Sequence, residues 1–203
     1  MTQIIDPYEP LAVNAGKIQA GVNRLNQRER RARILASTRK LIGERGSGDI
    51  TVREIALISD VSPQTLYNLV GPRDQAIVDA LNEYSVAIGR IAAHTSSLSE
   101  HTDVWISVAE CYPDYARQST LMFMTPMRNV YLSYRDKQVK SLTKLLKAYK
   151  KAGHMHFTTP AHDLAEQLIL FSSAVWVDWS IRSFPLSELK EKIIAGLTKL
   201  MRD

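Results

Sequence analysis

Four side chains in one short run, Gln64, Thr65, Tyr67 and Asn68, are hydrogen-bonding types that a single helix would present together. Gln and Asn can pair bidentately with the adenine edge in the major groove of DNA, and Thr can touch the thymine methyl. Around that run stand Thr51, Arg53, Ser62 and Arg73, with Arg28 and Arg31 further upstream. These suit phosphate oxygens, contacts that position a protein on a duplex without reading its sequence. Helix N-termini at Thr51, Ser62 and Pro72 would add backbone donors for anions. The chemistry on offer is recognition of double-stranded DNA. Taken alone, the basic run Arg28, Arg30, Arg31 and Arg33 is no more than a solvated helix face.

Short-range signals define the elements that hold these side chains. A first helix is expected from about Asn26, with Ile34, Leu35, Leu41 and Ile42 forming one apolar stripe and Gly46 and Gly48 ending it. Thr51 with Glu54 three residues on is a capping box, each side chain serving an orphan backbone donor of the other. That helix must stop before Ser59 and Asp60. Ser62-Pro63 then supplies a second N-cap, with proline at the first helical position, where its missing N–H costs nothing. Two short helices joined by a tight turn follow, with Ala56 small at their crossing and Ile55, Val61 and Leu66 between them.

Beyond Gly71-Pro72 the chain reads as helical throughout. Ile77, Leu81, Tyr84, Ile88 and Ile91 mark a long helix that a Thr/Ser-rich gap at 95–99 interrupts. Pro113 and Pro126 break the region from Thr102 to Tyr131 into short pieces. Val139, Leu142, Leu146 and Tyr149 share a face of a helix that stops at Gly153. A helix from about Ala161 to Arg182 is apolar nearly all round, and a last one from about Ser187 carries Leu189, Ile193, Leu197 and Leu200. No strand alternation and no internal repeat is visible. The fold class is all-α: residues 1–25 as an extension, 26–71 as a three-helix helix-turn-helix domain, and 72–203 as a helical ligand-binding and dimerisation domain.

Composition agrees with a globular protein. The 203 residues are 45% hydrophobic and 23% charged, with a net charge of +5. Nine Lys/Arg against four Asp/Glu lie in residues 1–45, so the whole excess is N-terminal and the rest is neutral. The single cysteine, Cys111, excludes an internal disulfide and reads as a small buried hydrophobe. No run suits a membrane helix and no signal peptide opens the chain, so a soluble, cytoplasmic protein is expected.

Trp105, Tyr112, Met122, Phe123, Met124, Met127, Tyr131, Phe171 and Trp176 are candidates to line a cavity, since methionine and aromatics make an adaptable wall for apolar ligands. Ordinary core is the competing reading for each of them. Glu110, Asp114, Arg117 and Asn129 are possible polar anchors. The stripe Lys137, Lys140, Lys144, Lys147, Lys150 and Lys151 reads as the wet face of its helix. His154, His156 and His162 read as loop residues; no metal and no cofactor is expected. There is no phosphate-binding glycine loop and no nucleophile elbow, so an enzyme finds little support.

Residues 28–84 resemble the TetR family of transcriptional regulators, through Thr51-Val-Arg-Glu-Ile-Ala, Val61-Ser62-Pro63, Thr65-Leu66-Tyr67 and Arg73-Asp74 at the start of the long helix. The rest resembles that family in architecture only. Asp60 stands where the family usually has glycine, Val70 replaces an aromatic and Arg73 a lysine. Asp tolerates the left-handed turn conformation. Leu57 and Ile58 fall where the family tends to be polar, and the N-terminal extension is expected to cover them. The resemblance implies a homodimer whose last two helices pack against their copies, with Phe171, Val175, Trp179, Ile193, Leu197 and Leu200 as the interface stripe. It implies a repressor released from a palindromic operator by a small, largely apolar effector. A regulator without a ligand, a helical protein-interaction adaptor and a helical enzyme are the alternatives.

Overall fold

The computed structural model describes residues 4–11, 22–122 and 128–200, the last two without the side chains of 22–25, 128–131, 133 and 134. Among these residues there are nine helices and no strand. The chain forms two compact units, Ile5–Val86 and a second from Ala87 onward, so the division falls inside a helix rather than at Gly71.

The first unit is the head. Helix α1 (Val22–Arg45) ends at Gly46, whose φ of 75° is a left-handed stop. Helices α2 (Val52–Ile58) and α3 (Pro63–Leu69) pack on each other and on α1. Ile34, Leu35, Leu41, Ile42, Ile50, Ile55, Ala56 and Leu66 make the apolar interior. Helix α4 (Arg73–Ala92) closes it with Ala76, Ile77, Ala80, Leu81 and Tyr84 and continues past Val86.

Residues 5–9, within the expected N-terminal extension, are tied to the head. The Arg39 side chain is wholly buried and donates to the carbonyls of Pro7 and Glu9, to the carbonyl of Ala80, and to Glu83 at 2.9 Å. The Tyr84 hydroxyl donates to the Ile5 carbonyl at 2.9 Å. Tyr8 lies so close to Gly43 that a Cβ there would stand 2.5 Å from its hydroxyl. The segment is therefore held by backbone acceptors that no side-chain pattern announces. It does not cover α2: Leu57 is 80% exposed, contrary to expectation.

The second unit contains α5 (Leu98–Cys111), α6 (Pro113–Leu121), α7 (Arg128–Lys151), α8 (Ala161–Arg182) and α9 (Leu186–Leu200). Helix α8 packs against α6, α7 and α9, and α5 against α6 and α9. Ser97, in the Thr/Ser-rich gap, caps α5, and Pro113 opens α6 at its first turn. Gly153, at φ 73°, ends α7. Cys111 is exposed, not buried, because it closes α5 at the turn into Tyr112-Pro113. No helix among the described residues is long and apolar enough to cross a membrane.

Candidate nucleic-acid interface

The turn between α2 and α3 is fixed from both sides. Thr51 Oγ1 accepts from the Glu54 amide at 3.2 Å, and Glu54 Oε2 accepts from the Thr51 amide at 2.9 Å, so the capping box is complete. Arg45 donates to the other Glu54 oxygen at 2.6 Å and ties the end of α1 to the start of α2. These bonds, led by Arg45 and then Thr51, hold the Glu54 carboxyl down at about 2, against an ordinary 4.5. Asp60 takes φ 53°, the left-handed turn that stands in for glycine, and the Val61 amide returns to the Ala56 carbonyl at 3.0 Å. Ser62 Oγ then accepts from the Thr65 amide at 3.1 Å, with Pro63 in the first helical turn.

That frame leaves Leu66 as the buried residue of α3 and turns Gln64, Tyr67 and Asn68 outward, Tyr67 being 50% exposed. Gln64 Nε2 donates to Asn68 Oδ1 at 3.0 Å, so the two amides stand side by side on one face. Thr65 is half-buried, while Ser62, Thr51, Arg53 and Arg28 are exposed. Arg31 is partly engaged, bonding Asp79 at 2.6 Å with Glu83 4.0 Å away. Arg73 is engaged within the chain. Its guanidinium donates to the carbonyls of Ser47, Gly48 and Ile50 and to Asp74, closing the α1–α2 loop. Arg45 was missed from sequence, since its partner lies across a Gly-rich turn that leaves no periodic signal.

The candidates in the second unit whose side chains are described lie on α5, α6 and α8 and the turns that join them. Trp105 on α5 donates from its indole to His101 at 3.3 Å, and burial holds His101 below its ordinary pKa. Met122 is buried, Tyr112 half-buried, and the Phe171 ring packs on Gly196 of α9. Trp176 meets Trp179 edge to face at 5.5 Å. Phe123, Met124 and Met127 lie outside the described residues, as does the side chain of Tyr131. The interface stripe is also corrected in part. Trp179, Ile193 and Leu197 lie in the chain's own core, with Phe171, Val175 and Leu200 packed against it. The exposed line of α8 is Leu170, Ala174 and Ile181 instead. The Lys137–Lys151 stripe is exposed, as expected.

Capped helices across a tight turn, with hydrogen-bonding groups on the outer face of the second, are the fold of a helix-turn-helix protein. The whole chain has the fold of TetR-family transcriptional regulators. It is similar to the fatty acid degradation regulator FadR of Bacillus halodurans (TM-score 0.65, 14% identity, 81% of this chain and 96% of that one). It is similar to the TetR-family repressor FadR of Thermus thermophilus, solved with lauroyl-CoA (0.63, 17%, 84% and 94%). A TetR-family regulator of Streptomyces coelicolor superposes likewise (0.64, 16%, 90% and 82%). No protein-family model and no curated protein sequence matches the chain.

Proposed function

We propose that this chain is a homodimeric DNA-binding transcriptional regulator, a repressor that leaves a near-palindromic site when a small, largely apolar effector binds its second unit. The observation that carries the DNA reading is the outward set Gln64, Tyr67 and Asn68 on a helix whose turn is fixed by two side-chain caps. Those residues would read base edges, while Thr51, Arg53, Ser62 and Arg28 would hold phosphates. A twofold dimer would place two copies of α3 roughly 34–36 Å apart, one turn of DNA. The exposed line Leu170, Ala174 and Ile181 supports α8 as the dimer face, since a monomer gains nothing from leaving it wet. The lauroyl-CoA in the Thermus thermophilus relative supports an effector with an apolar body. Helix α4 belongs to the head up to Val86 and to the second unit after it, so an effector that favours one tilt of α4 would change the spacing of the heads.

Selection of bound fragments from a random DNA pool tests this reading. A palindromic motif with half-sites about one helical turn apart is the expected result. No enrichment by a folded, dimeric protein would overturn it.

A further inference from the structure

Arg117, in the middle of α6, is an arginine the fold leaves incomplete. Its Nε is buried and has no hydrogen-bond partner, and among the described residues no carboxylate pairs with it. Other arginines that the fold shelters are matched. Arg39 meets Glu83 and three carbonyls, Arg73 meets loop carbonyls and Asp74, and Arg135 meets Glu166 at 3.0 Å. What Arg117 does have is an aromatic face: its guanidinium carbon stands 5.2 Å from the centroid of the Trp179 ring. A cation–π contact of that kind supplies no lone pair to the Nε–H donor. Buried donors are almost always satisfied in native proteins, so one left open marks a place for something else.

The surroundings narrow the chemistry. The in-plane fork of an arginine matches a pair of anionic oxygens, as a planar carboxylate or a tetrahedral phosphate presents. Beside it, Trp179 is buried and Trp176, edge to face with it, is half-buried, giving an apolar aromatic corner next to the cation. We infer that Arg117 anchors the anionic head of an amphipathic ligand, a carboxylate or phosphate carrying an apolar body that lies toward the Trp176–Trp179 corner. This rests on the effector reading of the second unit and specifies the ligand class that reading leaves open. A neutral apolar molecule would leave the Nε as unpaired as it is without it.

Decanoate, decyl phosphate and decanol, titrated against the full chain with tryptophan fluorescence and calorimetry as readouts, separate the possibilities. The anions should bind at least about tenfold more tightly than decanol, the range that a charge-assisted hydrogen bond supplies. Whichever anion binds better identifies the head group. In Arg117→Met, which keeps the stem on Trp179, the preference should vanish while decanol binding stays. Arg117→Lys keeps the charge without the fork and should retain part of the preference, a readout that holds if the Met variant fails to fold. Equal binding of decanol and the anions, no binding of any probe, or an undiminished preference in either variant would overturn the assignment. DNA retention is measured separately. Anion binding through Arg117 without DNA release would leave this site standing and remove the effector role. DNA release by decanol without anion preference would do the reverse.

Discussion

The ring of Phe171 on α8 occupies the space in front of the Gly196 α-carbon on α9, so closely that a Cβ at position 196 would overlap its ring carbons. A glycine inside a helix costs about 1 kcal/mol against alanine; here the close approach of α8 explains it. Gly196→Ala should recover that propensity and lose about 1–3 kcal/mol to overpacking, a net destabilisation seen as a lower Tm. In a Phe171→Ala background the same change should become stabilising. A lower Tm in both backgrounds would mean that the ring is not the obstacle.

Arg39 is a cation with no exposure, neutralised by Glu83 and by carbonyls of two separate segments. Arg39→Met should cost about 3–5 kcal/mol in urea unfolding, because it leaves three carbonyl acceptors and the half-buried Glu83 carboxylate without their donor. It should also weaken DNA binding, through disorder of the head rather than loss of a contact. A variant as stable as the parent would show the cluster to be energetically empty.

Gln64 and Asn68 hydrogen-bond each other at 3.0 Å. As base readers, Gln64→Ala and Asn68→Ala should each cost about 1–3 kcal/mol on the selected site, and the double variant less than the sum, since the partners share one network. Tyr67→Ala should weaken the same binding. Arg53→Ala should weaken all sequences alike and lower the salt slope by about 1. Dimerisation should be unchanged in all five, as sedimentation would report.

The capping box has a pH signature. Glu54 sits at about 2 when folded and 4.5 ordinarily, so its contribution is complete above 4.5 and disappears as the pH falls toward 2. Acid titration followed by circular dichroism should show a loss of helix in that window that Glu54→Gln flattens. An identical acid limb in the variant would assign the loss to other carboxylates.

Leu170 and Ile181, at 50% and 64% exposure, lie on the outer line of α8. With α8 as the proposed dimer face, Leu170→Glu or Ile181→Glu should leave a folded monomer where the parent chain dimerises, with weaker DNA binding and little change in thermal stability at low protein concentration. An unaltered sedimentation profile would move the dimer face elsewhere.

The head was legible where its logic is local. Thr51 with Glu54 and Ser62 with Pro63 act over three residues or fewer, so chain order displays them, and Asp60 declares its own left-handed turn. The loop contacts of Arg73 were not legible because its acceptors at 47, 48 and 50 lie upstream, and a backbone carbonyl has no residue identity. The stripe of α8 was misassigned for a related reason. A helix apolar on nearly every side gives no periodic clue to which side a neighbour takes, and the Trp179 side went to the core. The attachment of the N-terminal segment was not legible because it is made by carbonyls of Ile5, Pro7 and Glu9.

That attachment orders events during synthesis. The segment bonds Arg39 and Tyr84, and Arg39 in turn bonds Ala80 and Glu83; the three α4 residues emerge from the ribosome long after the segment does, and the Tyr84–Ile5 bond spans 79 residues. Contacts of such long range form late and slow the folding of the unit that depends on them. The first part of the head to be translated is thus among the last to dock, and until α4 is out the Arg39 charge has no permanent home. A fusion placed ahead of residue 5 would burden this slow closing step more than any step at the far end of the chain.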